Sequence, residues 1–167
     1  MLRRWTVGVA ALLVCAMGQA QSRYVGVGGS YLASSAYGSV PLVSVQVGGM
    51  AAPEFGGFEV RAALDTLVLF SNISLDALAS VRLPDASLRL YFGGGPDVLV
   101  LAPLDSVPGE ERLPVSFGLH GTAGLEVLPG VLTGSVRPYA EFQPAAALLY
   151  GELVFGFRAR AGVNFYF

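Results

Sequence analysis

Ten charged residues could carry chemistry together: Glu59, Asp65, Asp76, Glu126 and Glu141 against Arg61, Arg82, Arg89, Arg158 and Arg160. Five carboxylates and five guanidiniums at such mixed spacing suit ion pairing, or a polar pathway for an ion or solute, better than acid–base catalysis by one dyad. His120 and Thr122 add a base and a hydroxyl, and with Glu126 or Glu141 they have the residue types of a nucleophilic relay. Such a relay needs each member within hydrogen-bond reach of the next, which spacing does not supply. With one histidine in the chain, a histidine-based metal centre has no ligand set. Gly26-Val27-Gly28-Gly29 has the look of a phosphate loop, but no strand-to-helix context follows it. No catalytic, cofactor or metal site is expected.

The elements that must position these charges are strands. From Phe155 to Phe167 the odd positions (Phe155, Phe157, Ala159, Ala161, Val163, Phe165, Phe167) are apolar. The even ones (Gly156, Arg158, Arg160, Gly162, Asn164, Tyr166) are polar or small. Successive strand side chains point to opposite faces, so this is one apolar surface and one polar surface. The same parity recurs upstream. Val25 to Ala33 alternate with Tyr24 to Ser30, and Val43, Val45 and Val47 alternate with Ser44, Gln46 and Gly48. Phe58 to Leu64 alternate with Glu59, Arg61 and Asp65; Ile73 to Leu83 alternate with Ser74, Asp76 and Arg82. Ala86, Leu88, Leu90 and Phe92 oppose Arg89 and Tyr91. Val115 to Val127 alternate with Ser116, His120, Thr122 and Glu126, and Ala140 to Leu148 alternate with Tyr139, Glu141 and Gln143. Parity places all ten charges on one face.

Connections are expected at Ser34–Ser39, Gly49–Glu54, Thr66–Ser71, Pro84–Asp85, Pro129–Ser135 and Leu149–Glu152. The longest break, Gly94 to Pro114, opens on the last two of three consecutive glycines and carries four prolines and Glu110-Glu111, and most of it is expected to be irregular. Val98–Ala102 inside it either extends the preceding strand past a glycine kink or forms a hairpin, so eight strands are expected and ten are possible. Pro144 asks for a bulge or weak pairing.

An apolar outer face, a polar inner face and strands of roughly 9–11 residues are what a bilayer-spanning β-barrel requires. The alternating last strand ending on Phe167 resembles the closing strand of bacterial outer-membrane β-barrels, whose terminal aromatic is read by the barrel-assembly machinery. The whole pattern resembles the small OmpX/OmpA-like and OmpW-like barrels. That resemblance implies an all-β, up-and-down antiparallel transmembrane β-barrel in the outer membrane of a Gram-negative-type bacterium. It implies short periplasmic turns, and longer loops outside, including Gly94–Pro114. Its partners would be outer-membrane lipid, and the assembly machinery and periplasmic chaperones during biogenesis. No periplasmic domain of the kind many OmpA proteins append is expected after Phe167.

Function follows by class. An eight-stranded barrel is just wide enough inside for its own side chains, so an Arg/Asp/Glu network filling the lumen is expected, with a structural or surface-interaction role. The alternative is a narrow porin-like channel for small or apolar solutes, as in OmpW-like barrels. Less favoured is a lipid-modifying enzyme: lipid A deacylases, which use His, Ser and Glu on one barrel wall, are matched poorly by the threonine at 122. A soluble lipocalin-like barrel would carry the apolar face inward and usually a Gly-x-Trp near its first strand.

The start of the chain fits this destination. Met1-Leu2-Arg3-Arg4-Trp5 is basic, Thr6–Met17 is apolar and too short to span a bilayer as a helix, and Gly18-Gln19-Ala20 offers a cleavage site. Residues 1–20 are therefore expected to be a Sec signal peptide and 21–167 a single barrel domain. Removing the leader removes the one cysteine, so no disulfide or thiolate chemistry is expected. It leaves eight Arg against twelve Asp and Glu, a balance of −4, with no footprint for nucleic acid.

Overall fold

The computed structural model describes residues 22–35, 38–51, 57–67, 70–83, 87–101, 115–128, 135–149 and 151–167. The expected leader, residues 110–111 and the Pro84–Asp85 turn lie outside the described residues. Eight strands follow one another: β1 (Ser22–Ser34), β2 (Gly38–Ala51), β3 (Phe58–Leu67), β4 (Phe70–Arg82), β5 (Leu88–Leu101), β6 (Val115–Val127), β7 (Val136–Leu149) and β8 (Glu152–Tyr166). Each pairs antiparallel with the next, and β8 returns to β1, so the sheet closes on itself in sequence order. Among the described residues, closure leaves no edge strand with unpaired backbone groups.

Alternation decides which face goes where. Along β2 the exposed Val43, Val45 and Val47 flank the buried Ser44 and Gln46. On β8 Phe155 (60 % exposed) and Phe165 point out, whereas Arg158 and Arg160 (each 2 % exposed) point in. The outer surface is a continuous apolar band. Exposed Phe58 and Phe165 stand toward the end that holds the termini, and Tyr31, Phe117 and Phe155 toward the opposite end, which we call the loop end.

Several strands run longer than sequence alternation suggests. Ser34 pairs with Gly38 and Leu67 with Phe70, so these two of the four connections at the loop end are tight. Gly49, Met50 and Ala51, expected in a turn, continue β2 opposite Val60, Glu59 and Phe58. Leu149 pairs with Glu152, and Gly151 takes φ +86°, a left-handed conformation that suits glycine.

The expected break at Gly94–Pro114 is corrected at its start only, since residues 102–114 lie outside the described residues. Its first part is strand: β5 runs unbroken in register through Gly93-Gly94-Gly95-Pro96 to Leu101, which makes eight strands rather than ten. A Cβ at Gly93 or Gly95 would sit 2.0 Å from the carbonyl oxygen of Ala77 or Leu75, so only glycines let the strand coil this tightly against β4. The β4–β5 ladder steps from Ala77↔Gly94 to Ser74↔Asp97 without a shift in register, and Pro96, which has no N–H to give, lies in that gap. Pro144 behaves alike. The β6–β7 ladder skips from His120↔Ala145 to Ala123↔Phe142 with its register kept, so Pro144 weakens pairing without making a bulge.

Candidate functional site

The inner face of the barrel is polar, its two groups of ion pairs meeting where the Arg61 and Arg89 guanidiniums both lie over the Tyr91 ring. At its centre Glu141 of β7 accepts from Arg61 Nη1 (2.6 Å), Arg160 Nη1 (2.7 Å), Tyr91 OH (3.0 Å) and Gln143 Nε2 (3.0 Å). Arg61 Nε also donates to Asp76 Oδ2 at 3.1 Å. Asp65 takes both Nε and Nη2 of Arg160, a bidentate pair, and Arg158 Nη1 at 3.1 Å. Arg158 Nε donates to Gln143 Oε1 at 2.6 Å.

A second group lies toward the end that holds the termini. Arg89 bridges Glu59 Oε2 (2.9 Å) and Glu126 Oε2 (3.1 Å), and Tyr24 donates to Glu59. Glu126 also accepts from Asn164 Nδ2 (2.9 Å) and Tyr166 OH (2.7 Å), with Arg137 at 3.7 Å. Arg137 stacks over the Tyr166 ring at 3.8 Å.

With Gln46 Nε2 of β2 donating to Asn164 Oδ1 at 2.7 Å, these contacts join all eight strands across the lumen. The charges can be dry because each has opposite charges or hydrogen bonds around it; an isolated one would be expensive to bury. Small residues make room for the rings. Gly48 and Gly124 are the register partners of Tyr24 and Tyr91, and a Cβ at either would lie within 2.6 Å of the facing tyrosine's ring carbons.

Of the eleven residues expected in the lumen, ten lie there buried: Glu59, Arg61, Asp65, Asp76, Arg89, His120, Glu126, Glu141, Arg158 and Arg160. Arg82 does not join them. It keeps the inward parity but is the last residue of β4, opposite Arg89 in register, and it is exposed at the rim. Sequence reasoning missed Asp97, because β5 was expected to end before it. Continuing the Arg89–Tyr91 parity would have placed it inside, where it lies buried, 4.0 Å from His120 Nδ1. Arg137 was missed for the same reason at the start of β7.

His120 and Thr122 do not form a relay. His120 Nε2 lies 2.9 Å from Asp76 Oδ1, and Thr122 Oγ1 donates to that same oxygen at 2.7 Å. The two share an acceptor instead of facing one another, while Glu126 and Glu141 are engaged elsewhere. Phe167 sits 77 % exposed on the outer face; its N–H donates to the Arg23 carbonyl at 2.9 Å, closing the β8–β1 seam.

Solved structures with the same architecture are outer-membrane barrels. The N-terminal β-barrel domain of Pseudomonas aeruginosa OprF superposes with a TM-score of 0.60 at 17 % identity, over 89 % of this chain and 98 % of that one. The fold is that of the small outer-membrane β-barrels. Neisserial surface protein A gives a TM-score of 0.57 at 16 % identity, over 86 % of this chain and 95 % of that one. Ail, the attachment invasion locus protein of Yersinia pestis, gives 0.55 at 17 % identity, over 87 % and 97 %. No family profile matches the sequence, and no curated protein matches it either. The likeness is one of backbone architecture, as the shared eight-strand closure requires.

Proposed function

We propose that the chain is an integral outer-membrane protein of structural or surface-interaction type, exported by the Sec route, whose lumen is closed by ion pairs. The observation that carries this reading is the inverted barrel: apolar side chains cover the outside while the charges bury themselves inside and pair. Water would not stabilise such an exterior, whereas a bilayer would. Aromatic side chains near both ends fit the two interfaces of a membrane. Arg61, Arg160, Glu141 and Asp65, all nearly solvent-free, occupy the cross-section an ion would need, which favours a plug over a channel.

In this reading the end that holds the termini faces the periplasm and the loop end faces outward, as the working surface. Lipid is the standing partner, and the assembly machinery with its periplasmic chaperones a transient one. Extracting the outer-membrane fraction and running it with and without boiling tests the class: the folded barrel is expected to migrate differently from the boiled chain. Planar-bilayer recordings should show no steady conductance. A soluble chain would overturn the membrane assignment, and discrete reproducible channels would replace the plug with a pore.

A further inference from the structure

Above the ion-paired layer the lumen changes character. On β7 the inward positions pass from Tyr139, Glu141 and Gln143 to Ala145, Ala147 and Leu149, and on β5 from Asp97 to Leu99. Leu32, Leu99, Ala147 and Leu149 line a vestibule at the loop end of the barrel. These side chains face the lumen, so a surrounding bilayer gives no reason for their being apolar.

The floor of the same vestibule is polar and incompletely satisfied. Arg158 uses Nε on Gln143 and Nη1 on Asp65, and its Nη2 is buried without a partner. Asn72 Nδ2, on the opposite wall, is likewise buried without one. Both residues line the cavity while only 2 % and 4 % exposed, and native structures rarely leave such donors unused. Asp97 lines the same cavity and presents a carboxylate 4.0 Å from His120 Nδ1, beyond hydrogen-bond range.

We propose that this vestibule binds a small amphipathic molecule whose short apolar body packs on Leu32, Leu99, Ala147 and Leu149. Its uncharged head accepts from Arg158 Nη2 and Asn72 Nδ2 and donates to Asp97. A full anion would meet the Asp97 carboxylate beside its donors, and a full cation would meet the Arg158 guanidinium. A head of the primary-amide kind, acceptor and donor together, satisfies all three. Water alone could serve the floor but would leave the apolar wall wet.

The inference stands apart from the membrane assignment and from the barrel's orientation, since it uses only the interior. Its test is an amide NMR titration of the refolded protein in phosphatidylcholine nanodiscs with three probes: hexanamide, hexanoate and hexylammonium. Hexanamide should shift the amides of Asn72, Asp97, Ala147 and Arg158 saturably, and bind at least about fivefold tighter than either charged probe. Asp97→Asn should narrow or reverse the gap between hexanamide and hexanoate. Leu149→Asp and, independently, Ala147→Asp should abolish saturation, with the rest of the spectrum reporting that the barrel is folded. No saturable shift from hexanamide overturns the proposal, as does unchanged binding in a folded wall variant or a native preference for hexanoate.

Discussion

At the scale of single residues, the outcome of a substitution should depend on how many partners share the buried charge. Glu141 is the hub: two arginines, a tyrosine hydroxyl and a glutamine all give it hydrogen bonds. Glu141→Leu strips Arg61 and Arg160 of an acceptor in a dry interior, and breaking a buried pair from one side costs about 3–5 kcal/mol. Urea unfolding from lipid vesicles should show that loss, while Arg82→Gln at the exposed rim leaves the midpoint where it was. Equal, small effects would mean that the lumen is wet and the pairs are screened. The sequence exposed Glu141 by parity alone, as it did nine other lumen residues. It did not expose Arg82's exclusion, because parity fixes the face a residue takes and says nothing of its height along the barrel axis.

Elements were legible to the extent that alternation survives glycine and proline. β1, β6 and β8 could be read directly, since no proline interrupts their inward and outward rows. β5 could not: Gly93-Gly94-Gly95-Pro96 has the composition of a loop, yet missing Cβ atoms are what let the strand coil against its neighbours. The partnership of tyrosine with glycine across strands was equally hidden, because register is a property of the pair and not of either strand. Gly124→Val tests it. A branched side chain there would drive into the Tyr91 ring and pull its hydroxyl from Glu141, an overpacking cost of about 1–3 kcal/mol. In a Tyr91→Ala background the same change should cost distinctly less, and a double-mutant cycle measures the difference. Strict additivity would show that ring and glycine are independent. The β8–β1 seam makes a kinetic prediction. Phe167 bonds Arg23 through its backbone and leaves its ring exposed, so deleting it removes little packing. The deletion should lower the folded outer-membrane population while the purified chain still refolds in detergent; normal membrane levels would remove Phe167 from the assembly signal.

At the scale of the whole molecule the question is which solvent surrounds the barrel, and neighbouring residues of β8 answer it. Ala159 points outward between Arg158 and Arg160, which point in. If the exterior meets hydrocarbon, Ala159→Arg places a guanidinium near the midplane at a cost of about 2–4 kcal/mol. Arg158→Gln should cost less, because Asp65 keeps its bidentate bond with Arg160 and Gln143 keeps Glu141. A barrel in water predicts the opposite for the outer site: an arginine there would be solvated and neutral in effect, and would relieve an apolar surface. The two variants therefore separate solvent from packing, since one changes the outside alone and the other the inside alone. Equilibrium unfolding of both from the same vesicles decides it. Ala159→Arg the more damaging means a barrel turned inside out for lipid, and Ala159→Arg tolerated means that the apolar band is covered by something other than a membrane.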